Sequence, residues 1–299
     1  MDEAAPSARR PRRRRLFWAG GMGLLVVAYA GLLFLYAVSG RTGGVGEDAS
    51  VPAGGVFVDL HAEAVQTTPQ RLVIDVDIEP DPSLGATPNG FTLDRDITVL
   101  IDPSAGSREV TFPAGQVPAV NRMELELDGD IRNWPFDRYS AALIVGVVEG
   151  SVSDGRALEA VVQIDGEVQG WRVNVTEADV PGAPGDLQFF RIEASRSGDT
   201  QAFAAIILVV MIVLAFTACF VAVTTLRGRR VVQPTFMSWM AAMLFATVPL
   251  RNFLPGSPPV GSWVDAVIVL WVIVALVASL TMYGAAWYRQ TAPSDTGRQ

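Results

Sequence analysis

The 299-residue chain contains no lysine; all 23 of its basic side chains are arginine. A GC-rich coding sequence produces that bias, so we read no chemistry into it. There is one cysteine, Cys219, and it lies inside an apolar run. An intramolecular disulfide and a cysteine-based zinc site are therefore excluded, and any soluble domain must stand on its core alone. Histidine is as scarce, with His61 the single example. The G-x-S-x-G, H-E-x-x-H, phosphate-loop and paired-cysteine motifs are missing, so no catalytic, cofactor or metal site is expected and the chain reads as a non-enzyme. Charge is also missing from the interiors of four long apolar runs. Chains usually keep a charge in hydrocarbon only where an ion or proton route uses it, so its absence argues against a proton- or sodium-coupled transporter.

Those four runs organise what is present. Residues 1–15 form a basic tail ending in Arg12-Arg13-Arg14-Arg15, followed by 23 uncharged residues at 16–38. At ~1.5 Å per residue such a run covers the ~30 Å hydrocarbon core, and the arginines before it hold that end in the cytoplasm. A cleaved signal peptide is the rival reading, but its apolar core is ordinarily about 7–15 residues, so an uncleaved anchor is expected. Residues 39–55, rich in Gly, Ser and Thr, read as a flexible linker. Three further runs come late, at 202–226, 234–250 and 263–288. Asp199 and Thr200 are placed to cap the first of these. Arg227, Arg229 and Arg230 mark a cytoplasmic break after it, and Trp263, Trp287 and Tyr288 make an aromatic belt around the last. The middle run is short and carries Pro249, but its strong neighbours require it to return outward through a loop at 251–262. Both termini, including the tail 289–299, are then cytoplasmic. The expectation is a multi-pass plasma-membrane protein of membrane α + β class, with residues 39–199 extracytoplasmic.

Between the first and second runs the period changes to two. Leu72, Ile74, Val76 and Ile78 alternate with Val73, Asp75, Asp77 and Glu79, and Met123, Leu125 and Leu127 alternate with Glu124, Glu126 and Asp128. Leu158, Ala160, Val162 and Ile164 follow the same rule, which is that of strands with one buried face. Similar runs lie near 56–65, 97–101, 140–148, 171–176 and 187–194, punctuated by Pro, Gly, Asp and Asn. The pattern predicts an antiparallel β-sandwich of eight or nine strands over residues 56–199, attached to a four-helix transmembrane bundle. From Arg41 to Asp199 there are 11 arginines against 27 acidic residues. So acidic a domain argues against nucleic acid as a partner. The expected partners are the lipid bilayer and a second copy of the chain or another envelope protein. His61, beside Asp59 and Glu63, reads as a solvated strand histidine. Asp75, Asp77, Glu79 and Asp81 lie along an extended face without the loop that calcium needs.

Two local motifs stand out. In Trp134-Pro135-Phe136-Asp137-Arg138-Tyr139, proline sets a turn, three aromatics supply apolar area, and Asp137 and Arg138 are free to bind backbone or partner groups. The second is the loop with Arg251, Asn252, Pro255, Pro258 and Pro259, followed by Asp265. Arg251 on the outer side runs against the positive-inside trend and calls for a partner; Asp265 or an acid of the domain would serve, and a snorkelling arginine at a helix C-terminus is the alternative. These twelve residues are the candidate contact between domain and bundle. The two motifs and the order of the spans resemble the family of domain of unknown function 4436, which implies a membrane protein of actinobacteria or some fungi and no assigned activity. Pro135-Phe136-Asp137 is also similar to the loop that rests on the membrane domain in pentameric ligand-gated channels. The chain departs from that pattern in lacking paired cysteines and in the count of its spans. The favoured reading is a non-enzymatic envelope scaffold, sensor or partner-binding protein. The alternative is a homo-oligomeric channel with Thr217, Thr224, Ser238 or Thr247 facing its axis.

Overall fold

The computed structural model describes residues 31, 50–85, 92–103, 108–182, 184–256 and 258–291. The basic tail 1–15, the apolar run 16–38 apart from Gly31, the linker up to residue 49 and residues 292–299 lie outside them.

Eleven strands follow from the alternating stretches: β1 (Val56–Gln66), β2 (Arg71–Pro80), β3 (Ile97–Pro103), β4 (Arg108–Phe112), β5 (Asn121–Glu126), β6 (Asp128–Gly129), β7 (Arg138–Glu149), β8 (Arg156–Leu158), β9 (Ala160–Asp165), β10 (Trp171–Glu177) and β11 (Leu187–Arg196). One sheet runs β5-β2-β1-β9 and the other β10-β11-β7-β3-β4, with β6 and β8 also on β7. Alternate apolar residues along each strand turn inward as their spacing requires. Leu60, Ile74 and Leu125 of one sheet and Ile101, Leu143 and Ile192 of the other share a single core, each 1% exposed or less. A bulge between Ala62 and Ala64 shifts the β1–β2 register.

The architecture corrects the expected one in two respects. The domain is sandwich-like but not wholly antiparallel: β9 lies parallel to β1, with Val56 opposite Ala160 and His61 opposite Asp165. A two-residue hairpin cannot make a parallel pair. The chain reaches β9 by leaving β8, on the other sheet, and crossing the core edge. Nor, among the described residues, is there a four-helix transmembrane bundle. The domain leads instead into three helices: α1 (Gly198–Leu226), α2 (Pro234–Asn252) and α3 (Leu270–Thr291), the last opened by a π-helical turn, Asp265–Val269. Gly198–Leu226 and Asp265–Thr291 are long and apolar enough to cross a membrane. The middle helix is not among them, because Ser238, Thr247, Pro249, Arg251 and Asn252 dilute its apolar content.

Helices α1 and α3 pack along matched seams. Ala204, Met211, Ala215, Ala218, Ala222 and Thr225 are buried on α1, and Val272, Leu276, Ser279, Tyr283 and Ala286 on α3. Spacings of three and four keep each set on one stripe, and the alanines let the backbones approach. Ser279 Oγ donates to Cys219 Sγ across the seam at 3.2 Å. The far turn is tied down as well: Gln233 N donates to Tyr283 Oη at 2.9 Å, and that hydroxyl donates to Gln233 O at 2.8 Å.

Candidate functional site at the sheet–helix junction

The end of the β domain nearest the helices is built by three adjacent strands. β11 runs into α1 after Ser197, β7 begins directly after the Trp134-Pro135-Phe136-Asp137 turn, and β10 begins at Trp171. Along β11 the inward positions are Phe190, Ile192, Ala194 and then Arg196; along β7 they are Leu143, Ala141, Tyr139 and then Asp137. Period two thus carries an arginine and an aspartate into the interior on neighbouring strands. Their side chains are 3% and 0% exposed. Arg196 Nε donates to Asp137 Oδ1 at 3.1 Å and Nη2 donates to Oδ2 at 3.1 Å, a forked pair. Tyr139 Oη donates to the same Oδ2 at 3.2 Å, and the guanidinium lies 4.2 Å over the Trp171 ring. Burial, and then the Asp137 carboxylate, hold the Tyr139 hydroxyl well above its ordinary range. It remains a proton donor at any physiological pH.

The other motif closes this pair from the helix side. Gly256, at φ +73°, presses its backbone against the Arg196 guanidinium, and a Cβ there would collide with Nη1. Trp134 is fully buried, not in the sandwich core but among helix-side residues such as Ala204, Leu208, Leu254 and Val264. Its Nε1 donates to Pro255 O at 2.9 Å, and Trp263 Nε1 donates to Trp134 O at 2.6 Å. Gln201, in the first turn of α1, donates to Pro135 O at 3.3 Å. The Trp134–Pro135 peptide is cis. Beside this contact Arg251 Nη2 donates to Asp265 Oδ2 at 2.9 Å and to Pro258 O at 2.8 Å, while Asp265 Oδ2 also accepts from Gly261 N at 3.1 Å. The π-helical turn sets Asp265 at the helix mouth where these donors converge.

The structure thus brings together Trp134, Pro135 and Pro255; Asp137 and Tyr139; and Arg251, Pro258 and Asp265. Pro259 only supplies its carbonyl to Ser262 N. Phe136 is 63% exposed, Asn252 is exposed, and Arg138 lies on the outer face of β7. The residues that sequence reasoning missed are Arg196, Trp171, Gln201 and Gly256. Arg196 had a signal, since it continues the inward parity of Ile192 and Ala194. Asp199 and Thr200 do not cap α1: the helix starts at Gly198, and Thr200 Oγ1 reaches back to Gly170 O at 3.2 Å. Of the hydroxyls named for a channel axis, Thr217, Thr224 and Thr247 each donate to their own helix, to Val213 O, Phe220 O and Met243 O. On the outer sheet face His61 Nδ1 is 2.8 Å from Asp165 Oδ1, a cross-strand pair that is half exposed.

A sandwich-like β domain joined end-on to apolar helices, with a buried ion pair at the joint, defines the class of this protein. Its family is that of the domain of unknown function DUF4436, to which the chain belongs by a match over residues 46–209. A second domain of unknown function, DUF8686, matches residues 196–290. The two stretches overlap over 196–209, the segment that carries Arg196 into α1. A comparison with curated proteins found no match.

Proposed function

We propose that the protein is a non-enzymatic plasma-membrane protein whose β domain stands outside the membrane and serves as a rigid platform, a scaffold or sensor, for a partner in the envelope. Helix α1 carries the chain inward and α3 crosses in the same direction, while α2, too polar to span on its own, returns the chain packed against them and leaves the C-terminus in the cytoplasm. Arg227, Arg229 and Arg230 between α1 and α2 favour that orientation. The outward faces of α1 and α3, where Val209, Val213, Phe216, Trp271 and Val274 are exposed, favour a lipid setting whichever way the helices run.

The observation that carries the reading is the junction. A domain on a free tether needs no buried forked pair and no tryptophan seated among helix residues. A domain that must hold a fixed attitude to the bilayer, or pass a load into it, does. The test is topological. Reporters fused at Asp154, in the β7–β8 loop at the far end of the domain, and at Gln299 are expected on opposite sides of the membrane. Signals from one compartment reject the arrangement.

A further inference from the structure

The outer face of the β10-β11-β7 sheet carries a feature that the junction does not use. In its last row before the helices, Ser195 pairs with Arg138 on one side and with Arg172 on the other. All three share the outward parity, and cross-strand partners on one face stand about 5 Å apart. Both arginines are exposed, and among the described residues neither makes an ion pair, although acids outnumber arginines heavily in this domain. The next row is Ser140, Glu193 and Asn174. Together these residues line an open groove of about 400 Å³. Its lining carboxylate, Glu193, and Asp128 of β6, which pairs with Ser140, both stand one row farther from the helices, so the two arginines hold the row nearest them.

If α1 enters the membrane as proposed, that row lies near the membrane surface. Ser195 precedes the first residue of α1 by three positions. At the same end Phe136, Phe253 and Val260 are 63%, 68% and 92% exposed, apolar side chains left open by the described residues. Phe136 is two residues before Arg138. An apolar tip with two free guanidinium groups just above it matches the layering of a lipid, acyl chain below and phosphate above.

We propose that Arg138, Ser195 and Arg172 form a binding site for the phosphate of an anionic lipid headgroup. The two guanidinium groups flank the phosphate and the Ser195 hydroxyl donates between them. Ser140 and Asn174 bound the groove above, and Glu193 keeps a second anion from entering deeper. The inference rests on the membrane reading and deepens it by naming what the domain touches at the surface.

Full-length protein in mild detergent, offered phosphatidylglycerol, phosphatidylcholine or inorganic phosphate in separate arms, decides the matter by native mass spectrometry. The wild type is expected to retain phosphatidylglycerol over phosphatidylcholine by on the order of tenfold, as about 1 kcal/mol per arginine near an anionic surface implies. The double variant R138Q/R172Q loses that preference. Ser195→Asp, which keeps both arginines and places a carboxylate between them, loses it too. Arg191→Gln, two rows away on the same face, keeps it. An unchanged preference in both site variants overturns the proposal, and so does displacement of the lipid by equimolar inorganic phosphate. A wild type that stays in the membrane fraction but shows no preference overturns the site alone. A wild type that leaves that fraction overturns the membrane reading with it.

Discussion

Asp59 shows how much a single carboxylate's surroundings matter on the outer sheet face. It faces Asp77 on β2 and Gln163 on β9, with His61 two residues along. Partial burial, and then the Asp165 carboxylate, hold the Asp59 carboxyl above its ordinary range; Asp77 adds to this and His61 opposes it. A group whose pKa folding raises favours the fold when protonated. Its contribution is complete below the unfolded value of about 3.9 and is lost as pH rises through the folded value. Asp75 runs the other way. The hydrogen bond from Arg122 lowers its pKa, so its contribution is present above the unfolded value and is lost as pH falls through the folded one. Asp59→Asn is therefore expected to be more stable than the wild type at pH 7, with the gain shrinking toward pH 4. Denaturant titrations of the full chain across that range check the sign. A gain that grows on acidification contradicts the assignment.

At the scale of elements, the α1–α3 seam depends on small side chains. Ala218 and Ala222 are completely covered, and Cys219 beside them touches Ser279 of α3. In the proposed membrane setting no solvent-driven term holds helices together, so close backbone approach and packing carry the association. Ala218→Leu should cost about 1–3 kcal/mol by overpacking, whereas Val213→Leu, on the exposed face, should cost almost nothing. Thermal unfolding in detergent separates the two, and equal effects would show that the seam is not where the helices meet. Legibility in the sequence differs sharply between elements. Strands such as β2, with four inward apolar residues in alternation, announce themselves. Strand β4 does not: in Arg108-Glu109-Val110-Thr111-Phe112 only Phe112 is fully buried, because an edge strand meets the core at one end. Strand β9 was legible as a strand but not as a parallel partner of β1, since alternation is the same in either direction.

For the molecule as a whole, the Arg196–Asp137 pair and Trp134 decide whether domain and helices behave as one body. Removing one partner of a buried pair leaves the other charged without a counter-ion, which costs about 3–5 kcal/mol. Arg196→Ala is therefore expected to split one thermal transition of the purified full chain into two, an earlier one for the β domain and a later one for the helices. Arg196→Lys should not rescue it, because an ammonium neither forks onto Asp137 nor stacks on Trp171. The double change Arg196→Met with Asp137→Leu should recover much of the loss, since no unpaired charge remains. Calorimetry of the four proteins reads this directly; a single transition in Arg196→Ala would show that the pair does not couple the parts.

The sequence alone determined everything that depends on local period. Alternation placed most strands, uninterrupted apolar composition placed two long helices, and the lone cysteine excluded a disulfide framework. It also marked both junction loops as unusual, through proline, aromatic residues and a misplaced arginine. What it left open was every partner separated by more than a turn. Arg251 had Asp265 or any acid of the β domain to choose from, and only the folded chain put Asp265 beside it. Asp137 had no named partner until β7 and β11 lay side by side with Arg196 in the same inward row. The parallel β1–β9 pair belongs to the same category. Periodicity is a property of one segment and is written along it. A pairing is a property of two segments, and their relative register and direction exist only once the sheets have closed.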